Sequence, residues 1–334
     1  MTCSSLPHIA IFPFMSKGHT IPLLHLARLL GERRLVSQVT IFTTPHNASF
    51  LRTILTSCTA DEINIIPLDF PDDLPQSLDK VTSLTSFVSF VRSLELLQPK
   101  FEETMKLLSP PVAFLISDPF LVWPNKSAKQ LAIPNISFDG MGCFTNTIKN
   151  LLQKHKPHAH LTRDDLRPFA IPGFPNIELT MAELTEPNDA PNERGPVHEY
   201  DAQIVKAMSE SDGQLFNSFY ELEAPYRDYW EAFIGPKPWC VGPLCLAVSD
   251  TYPMDELKIG IRIRARDGTR DGLVEREDLE VAIEELMSSN GKGQELRQNV
   301  ENLATQARHA MLEEGGSSWK TLKQMIHEFN GKKD

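Results

Sequence analysis

His19 and Asp118 are two residues of this chain whose types and placement suit acid–base chemistry. His19 stands in Met15-Ser16-Lys17-Gly18-His19-Thr20, just after an apolar run and just ahead of a helical pattern. A helix N-terminus carries partial positive charge and disfavours an imidazolium beside it. A histidine there is expected to stay neutral, as a general base must be. Asp118 ends a second apolar run, Val112 to Ser117. A carboxylate beside a histidine fixes its tautomer and stabilises the imidazolium formed as the proton is taken. The two residues therefore read as base plus orienter. Spacing alone leaves another reading open, in which a capping His and a helix-capping Asp simply sit at strand ends.

The elements that must position this pair alternate along the chain. The apolar run His8 to Phe14 has no helical period and reads as a buried strand. Thr20 is placed to cap the following helix and Pro22 to occupy its first turn, after which Leu23, Leu26, Ala27 and Leu30 recur at helical spacing. Further strands are predicted over Val39–Thr44, Ile63–Leu68, Val112–Ser117, Asn135–Phe138 and Gln214–Phe219. Helices are predicted over Pro45–Leu55 and Leu121–Leu131, and over a long Val81–Leu108 stretch that Pro99 should kink or divide. Such alternation argues for an α/β fold with a parallel, doubly wound sheet, whose ligands bind beyond the carboxyl ends of the strands. The loop Met15–Thr20, Asp118 and the loop Asp139-Gly140-Met141-Gly142 then share one edge.

Residues 156–200, rich in Pro, Asn, Asp and Glu, read as a long surface excursion with little regular structure. Trp239 to Leu246 closes a first domain, 1–246. The remainder, 247–334, offers one strand, Ile259 to Ala265, with an arginine face. Three helices follow, near 276–288, 294–312 and 317–329.

Composition narrows the function. The chain has 334 residues, 41% hydrophobic and 23% charged, with a net charge of −11. Those fractions suit a globular protein, and the acidic balance argues against a general binder of nucleic acid or anionic membranes. Five cysteines, an odd count with no Cys-x-x-Cys, point to a reducing compartment and not to a disulfide scaffold or a zinc site. His155, His158 and His160 read as part of a solvated loop. No secretory signal or membrane-length apolar run is present, so a cytoplasmic protein is expected. Walker A, Gly-x-Ser-x-Gly and His-Glu-x-x-His patterns are missing. So is the Gly-x-Gly-x-x-Gly fingerprint that an NAD-linked oxidoreductase would need.

HIAIFPFMSKGHTIPLLHLARLL, at 8–30, resembles the N-terminal signature of plant UDP-dependent glycosyltransferases of small molecules. LISDPFLVW, IPGFP, LFNSFYELE, CVGPL and EEGGSSWKTLKQMI resemble further stretches of that family, in the same order. The resemblance implies a GT-B fold of two Rossmann-like domains. It makes His19 the base that deprotonates an acceptor hydroxyl and Asp118 its partner. The acceptor oxygen would attack the sugar of a UDP-sugar, glucose being the expected sugar, with inversion. The co-substrate is that UDP-sugar, with no separate cofactor and no metal. The acceptor is a small flavonoid, phenolic or terpenoid. Phe14, Met15, Phe120, Met141 and Phe144 are the candidate acceptor contacts, with core packing as the other reading of each. Gly18, Thr20 and Gly140 are the candidate donor contacts.

Most of the family's donor-binding region has no counterpart here: there is no Trp-x-Pro-Gln and no His-Cys-Gly-Trp-Asn-Ser. The simplest account is an internal deletion. One strand and three helices cannot rebuild a doubly wound sheet, so the region after 246 should be a poorly ordered remnant with an exposed apolar surface through which it could associate. Two functions follow. One is a glycosyltransferase by family with impaired or lost activity; the other is a non-catalytic acceptor-binding or interaction protein.

Overall fold

A computed structural model describes residues 6–55, 63–246, 273–288 and 290–331. The expected strand Ile259–Ala265, Cys3 and Cys58 lie outside those residues. The first elements are β1 (His8–Phe12), α1 (Lys17–Glu32), β2 (Gln38–Thr43), α2 (Pro45–Leu55) and β3 (Ile63–Pro67). Next come α3 (Leu84–Ser93), α4 (Gln98–Leu107), β4 (Val112–Ser117), α5 (Pro124–Gln130), β5 (Asn135–Asp139) and α6 (Cys143–His155). Then follow β6 (Phe169–Ile171), β7 (Phe174–Leu179), α7 (Pro196–Ser209), β8 (Gly213–Phe216), α8 (Tyr220–Phe233) and β9 (Pro238–Cys240). The described chain ends with α9 (Arg276–Met287), α10 (Gly291–Ala310) and α11 (Ser317–Asn330).

Seven strands pair in the order β3-β2-β1-β4-β5-β8-β9, every pair parallel. All residues of β1 and β4 are buried, as strands covered on both faces must be. The strand period sends alternate residues to opposite faces. Ile9, Ile11, Ile41, Phe114 and Ile116 join one apolar cluster with α1 and α11. Ala10, Phe12, Phe42 and Leu115 join another with α3, α4 and α7.

The described residues fall into two compact units. The first takes in those up to Phe144, from Gly195 to Leu246, and from Ala310 onward. A cut after 246 therefore does not follow the compact units, because α11 belongs with the first. Its Trp319, Leu322, Met325, Ile326 and Phe329 are buried against the sheet, where it packs on β4 and β9. The Ser318 hydroxyl donates to the Gly242 carbonyl at 2.6 Å, which joins the closing Gly-Gly-Ser-Ser stretch to Val-Gly-Pro-Leu. Lys237 pairs with Glu328 at 2.8 Å. The expectation that the last helices lose the sheet they should cover is thus corrected for α11.

The second unit comprises Thr145–Arg194 and the described residues from Leu273 to His309. Its 156–194 segment is more regular than expected. β6 and β7 form an antiparallel hairpin whose turn is Pro172-Gly173, with Gly173 at φ 87°. Proline followed by a positive-φ glycine is the signature of a type II turn. His158 is buried, a correction to the solvated loop: its ring stacks on Phe169 at 5.2 Å and its Nε2 bonds the Asn188 carbonyl at 2.6 Å. His155 and His160 are exposed. α9 buries no residue at all.

Smaller differences have local causes. Pro99 does not kink a long helix: a 3-10 turn over Leu94–Leu97 separates α3 from α4, and Pro99 sits in the first turn of α4. α1 begins at Lys17, so Thr20 is inside the helix and not its cap, and Pro22 lies beyond the first turn. Cys143, Cys240 and Cys245 are free thiols. Among the described residues no helix is long and apolar enough to cross a membrane.

Candidate active site

The strand order reverses between β1 and β4, and an open parallel sheet forms its ligand crevice at such a switch point. His19 follows β1 and Asp118 follows β4, so the fold brings both to that crevice. The Asp118 N–H donates to the Phe12 carbonyl at 3.0 Å, which continues the β1–β4 ladder to the carboxylate itself. Asp118 Oδ2 lies 2.8 Å from His19 Nδ1, and its Oδ1 accepts the Phe120 N–H at 3.0 Å. A carboxylate offers only acceptors, so Nδ1 carries the proton and Nε2 is the basic nitrogen of the neutral ring. The Asp118 side chain is 1% exposed and that of His19 is 30% exposed. The orienter is buried and the base can be reached.

The electrostatics differ from the expectation of a neutral histidine at a helix start. Burial does pull the His19 pKa down. The Asp118 hydrogen bond and the charges of Asp118 and Asp139 outweigh it, and the net direction is upward from 6.5. The pair therefore holds a proton more tightly than free imidazole, and the unprotonated base is populated at higher pH.

Aromatic rings form the surround. Phe14 and Phe120 meet the His19 ring edge-on, at centroid distances of 5.2 and 4.9 Å. Phe87 packs 6.2 Å from Phe14 and 6.0 Å from Phe120. The Tyr200 hydroxyl donates to the Phe120 carbonyl, and burial pushes its pKa up. Phe87 and Tyr200 were not singled out in the sequence. Phe87 sits in a helical run that reads as core, and Tyr200 at the end of a stretch that reads as irregular.

The other candidate residues scatter. Phe14 and Phe120 are brought to His19, but Phe14 is fully buried in the core and only Phe120 keeps exposed surface there. Met15 is fully buried in the core, with its carbonyl taken by the Leu78 N–H at 2.9 Å. Met141 is exposed on the loop after β5 and Phe144 in the first turn of α6, where it packs on Tyr226 at 4.8 Å. Gly18 has open space around it, and a side chain at Gly140 would begin 4.0 Å from the Gly18 carbonyl oxygen. The loops after β1 and β5 are thus neighbours. Thr20 is buried and its hydroxyl donates inward to the Phe14 carbonyl at 3.1 Å, so it presents nothing to a donor.

No family model matches the chain. UDP-glycosyltransferase 90A1 of Arabidopsis thaliana is 38% identical over 250 residues, 72% of this chain and 52% of that protein. UDP-glycosyltransferase 73C3 of the same plant is 36% identical over 249 residues, 72% of this chain and 49% of that protein. The chain spans about half the length of these curated relatives. Among solved structures, Glycyrrhiza uralensis UGT73P12 with glycyrrhetinic acid 3-O-monoglucuronide matches with a TM-score of 0.80 at 21% identity. That match covers 97% of this chain and 96% of that one. Phytolacca americana UGT2, with UDP-2fluoro-glucose and pterostilbene, matches with a TM-score of 0.73 at 18% identity, covering 97% and 99%. At those identities the likeness shows a shared fold, the GT-B type.

Proposed function

Because this chain belongs to the plant UDP-glycosyltransferase family, we propose that His19 and Asp118 serve sugar transfer from a UDP-sugar to a hydroxyl of a small acceptor. The 2.8 Å contact between His19 Nδ1 and Asp118 at the switch point carries this reading. Nε2 takes the acceptor hydroxyl proton while the oxygen bonds to the anomeric carbon. The bond from that carbon to UDP breaks, UDP leaves, and the configuration inverts. Asp118 holds the ring and stabilises the imidazolium. The half-buried rings of Phe87 and Phe120, backed by the fully buried Phe14, favour a flat or apolar acceptor, a phenolic, flavonoid or terpenoid alcohol. Gly18 and Gly140 line the side from which a donor would approach. The first 246 residues, with α11 docked on their sheet, supply the acceptor half, and the rest of 247–334 a shortened remnant of the donor half.

A second reading rests on length. The chain spans about half of its curated relatives, and the Trp-x-Pro-Gln and His-Cys-Gly-Trp-Asn-Ser patterns are missing. That combination favours impaired transfer, or a protein that binds the acceptor without converting it. The test is incubation with UDP-glucose and a panel of phenolic and terpenoid alcohols, read by mass spectrometry. A sugar conjugate whose formation falls roughly 10²–10⁴-fold in His19→Ala supports transfer through this base. Saturable acceptor binding with no conjugate supports the binding reading. A conjugate formed at an unchanged rate in His19→Ala overturns the role of His19.

A further inference from the structure

Glu223 sits within α8, yet its carboxylate serves another helix. Its Oε2 accepts the Cys143 N–H at 2.7 Å and its Oε1 the Phe144 N–H at 3.1 Å. These are first-turn donors of α6, which have no partner inside their own helix. Partial positive charge at a helix start also favours a carboxylate there. Helix caps usually come from the residue just before the helix. This one comes from about 80 residues downstream.

Two local features accommodate it. A Cβ on Gly142 would lie 2.2 Å from Glu223 Oε1, so a side chain at 142 would push the carboxylate out of the place in which it caps α6. Glu223 has non-helical angles inside α8, φ −128° and ψ 20°, two residues before Pro225, where the helix is kinked. Glu223 is nevertheless buried. A buried carboxylate needs such donors, and losing them leaves charge without compensation.

The segment held this way runs from Asp139 to Phe144. It carries Gly140 beside the Gly18 carbonyl and Met141 and Phe144 at the surface. It also carries Asp139, whose Oδ1 accepts the Met141 N–H at 2.8 Å, tying that carboxylate to the loop's conformation. We propose that Glu223 is a positioning residue that sets the loop 139–144, and Asp139 with it, against the His19 side of the sheet edge. Its consequence for sugar transfer rests on the reading of His19 as the base. Its structural content does not.

The charged groups that face His19 are Asp118 from the end of β4 and Asp139 from the end of β5. Phe14 and Phe120, also packed on the ring, carry no charge. The titration of His19 in the full chain, set first by burial and by Asp118, therefore also carries a contribution from Asp139 that changes with the position of the loop. It is followed by NMR of the imidazole, assigned with His19→Ala. Glu223→Gln keeps the shape but turns amide hydrogens toward one of the two N–H groups. Its expected effect is a fall of the His19 midpoint by about 0.3–1 unit. In an Asp139→Asn background the same substitution should produce no further fall. An unchanged midpoint in folded Glu223→Gln overturns the proposal, as does a full shift that persists without Asp139. A wild-type measurement stands beside these in case the variant does not fold. The Cys143 and Phe144 amides should exchange slowly with solvent, and exchange at the rate of open amides overturns the proposal. None of these readouts needs turnover, so failure of the base assignment and failure of this one are told apart.

Discussion

α11 and α9 both come from the last quarter of the chain, and they end differently. α11 buries Trp319, Leu322, Met325, Ile326 and Phe329. α9 buries none, and its Leu279, Val281, Ile283 and Met287 are exposed. A helical period is present in both. What separates them is a sheet: α11 lies on β4 and β9 and is fixed by Ser318 to the Gly242 carbonyl and by Glu328 to Lys237. The pattern of a helix says which face wants covering, and only the fold says whether anything covers it. The remnant expected after residue 246 is therefore no single class of structure. Its last helix is part of the sheet's core.

The largest expected effect tests that contrast directly. Phe329 is fully buried and meets Phe114 at 5.7 Å and Trp239 at 6.4 Å. Phe329→Ala should lower unfolding stability by about 3–5 kcal/mol, a transfer loss plus an unfilled cavity. Ile283→Ala on α9 should change it by less than about 0.5 kcal/mol, as for other exposed substitutions. Urea denaturation of both variants gives the comparison. Equal losses would show that Ile283 is covered after all, and α9 would then need the same account as α11.

The same sheet positions His19 and Asp118, and the next effect is read there. Asp118→Asn removes the partner that holds His19 above its ordinary pKa. The His19 midpoint should fall by roughly one unit or more, measured by NMR titration. The stability consequence has a definite sign. A histidine whose pKa is raised on folding adds stability below its unfolded value, 6.5. That contribution is lost as pH climbs through the raised folded value. The stability gap between wild type and Asp118→Asn should therefore narrow as pH rises from the unfolded value of 6.5 through the raised folded value. A gap that widens as pH rises past 6.5 would contradict the direction given to His19.

The sequence is informative where structure is local and silent where it is not. β1 and β4 are legible because strands buried on both faces are unbroken apolar runs. His19 and Asp118 are legible for the same reason, since a site at carboxyl ends must stand just after such runs. The direction of the His19 shift is not legible, because it is the balance of burial against the Asp118 contact and, from the end of β5, the Asp139 charge, which only the fold sets. Nor is the burial of His158, which depends on Phe169 folding back beside it. α7 is obscured by a stretch rich in Pro, Asn and Asp, although Pro196 suits its first turn. The Glu223 cap joins residues about 80 apart, and no spacing rule reaches that far.

The smallest effect separates two neighbouring serines at the start of α11. Ser318 is 1% exposed, and its hydroxyl is 2.6 Å from the Gly242 carbonyl oxygen. Ser317 is more open, and its hydroxyl donates to Glu221 at 2.8 Å among exposed groups. A hydrogen bond removed from a buried acceptor leaves that acceptor without water to replace it, and the loss is about 1–3 kcal/mol. At an exposed site water takes over, and the loss is a few tenths of that. Ser318→Ala should therefore lower the denaturation midpoint clearly, and Ser317→Ala hardly at all. If docking of α11 rested on its apolar face alone, the two variants would be indistinguishable. A measurable difference would show that the polar contact at its first turn also fixes where the helix sits on the sheet.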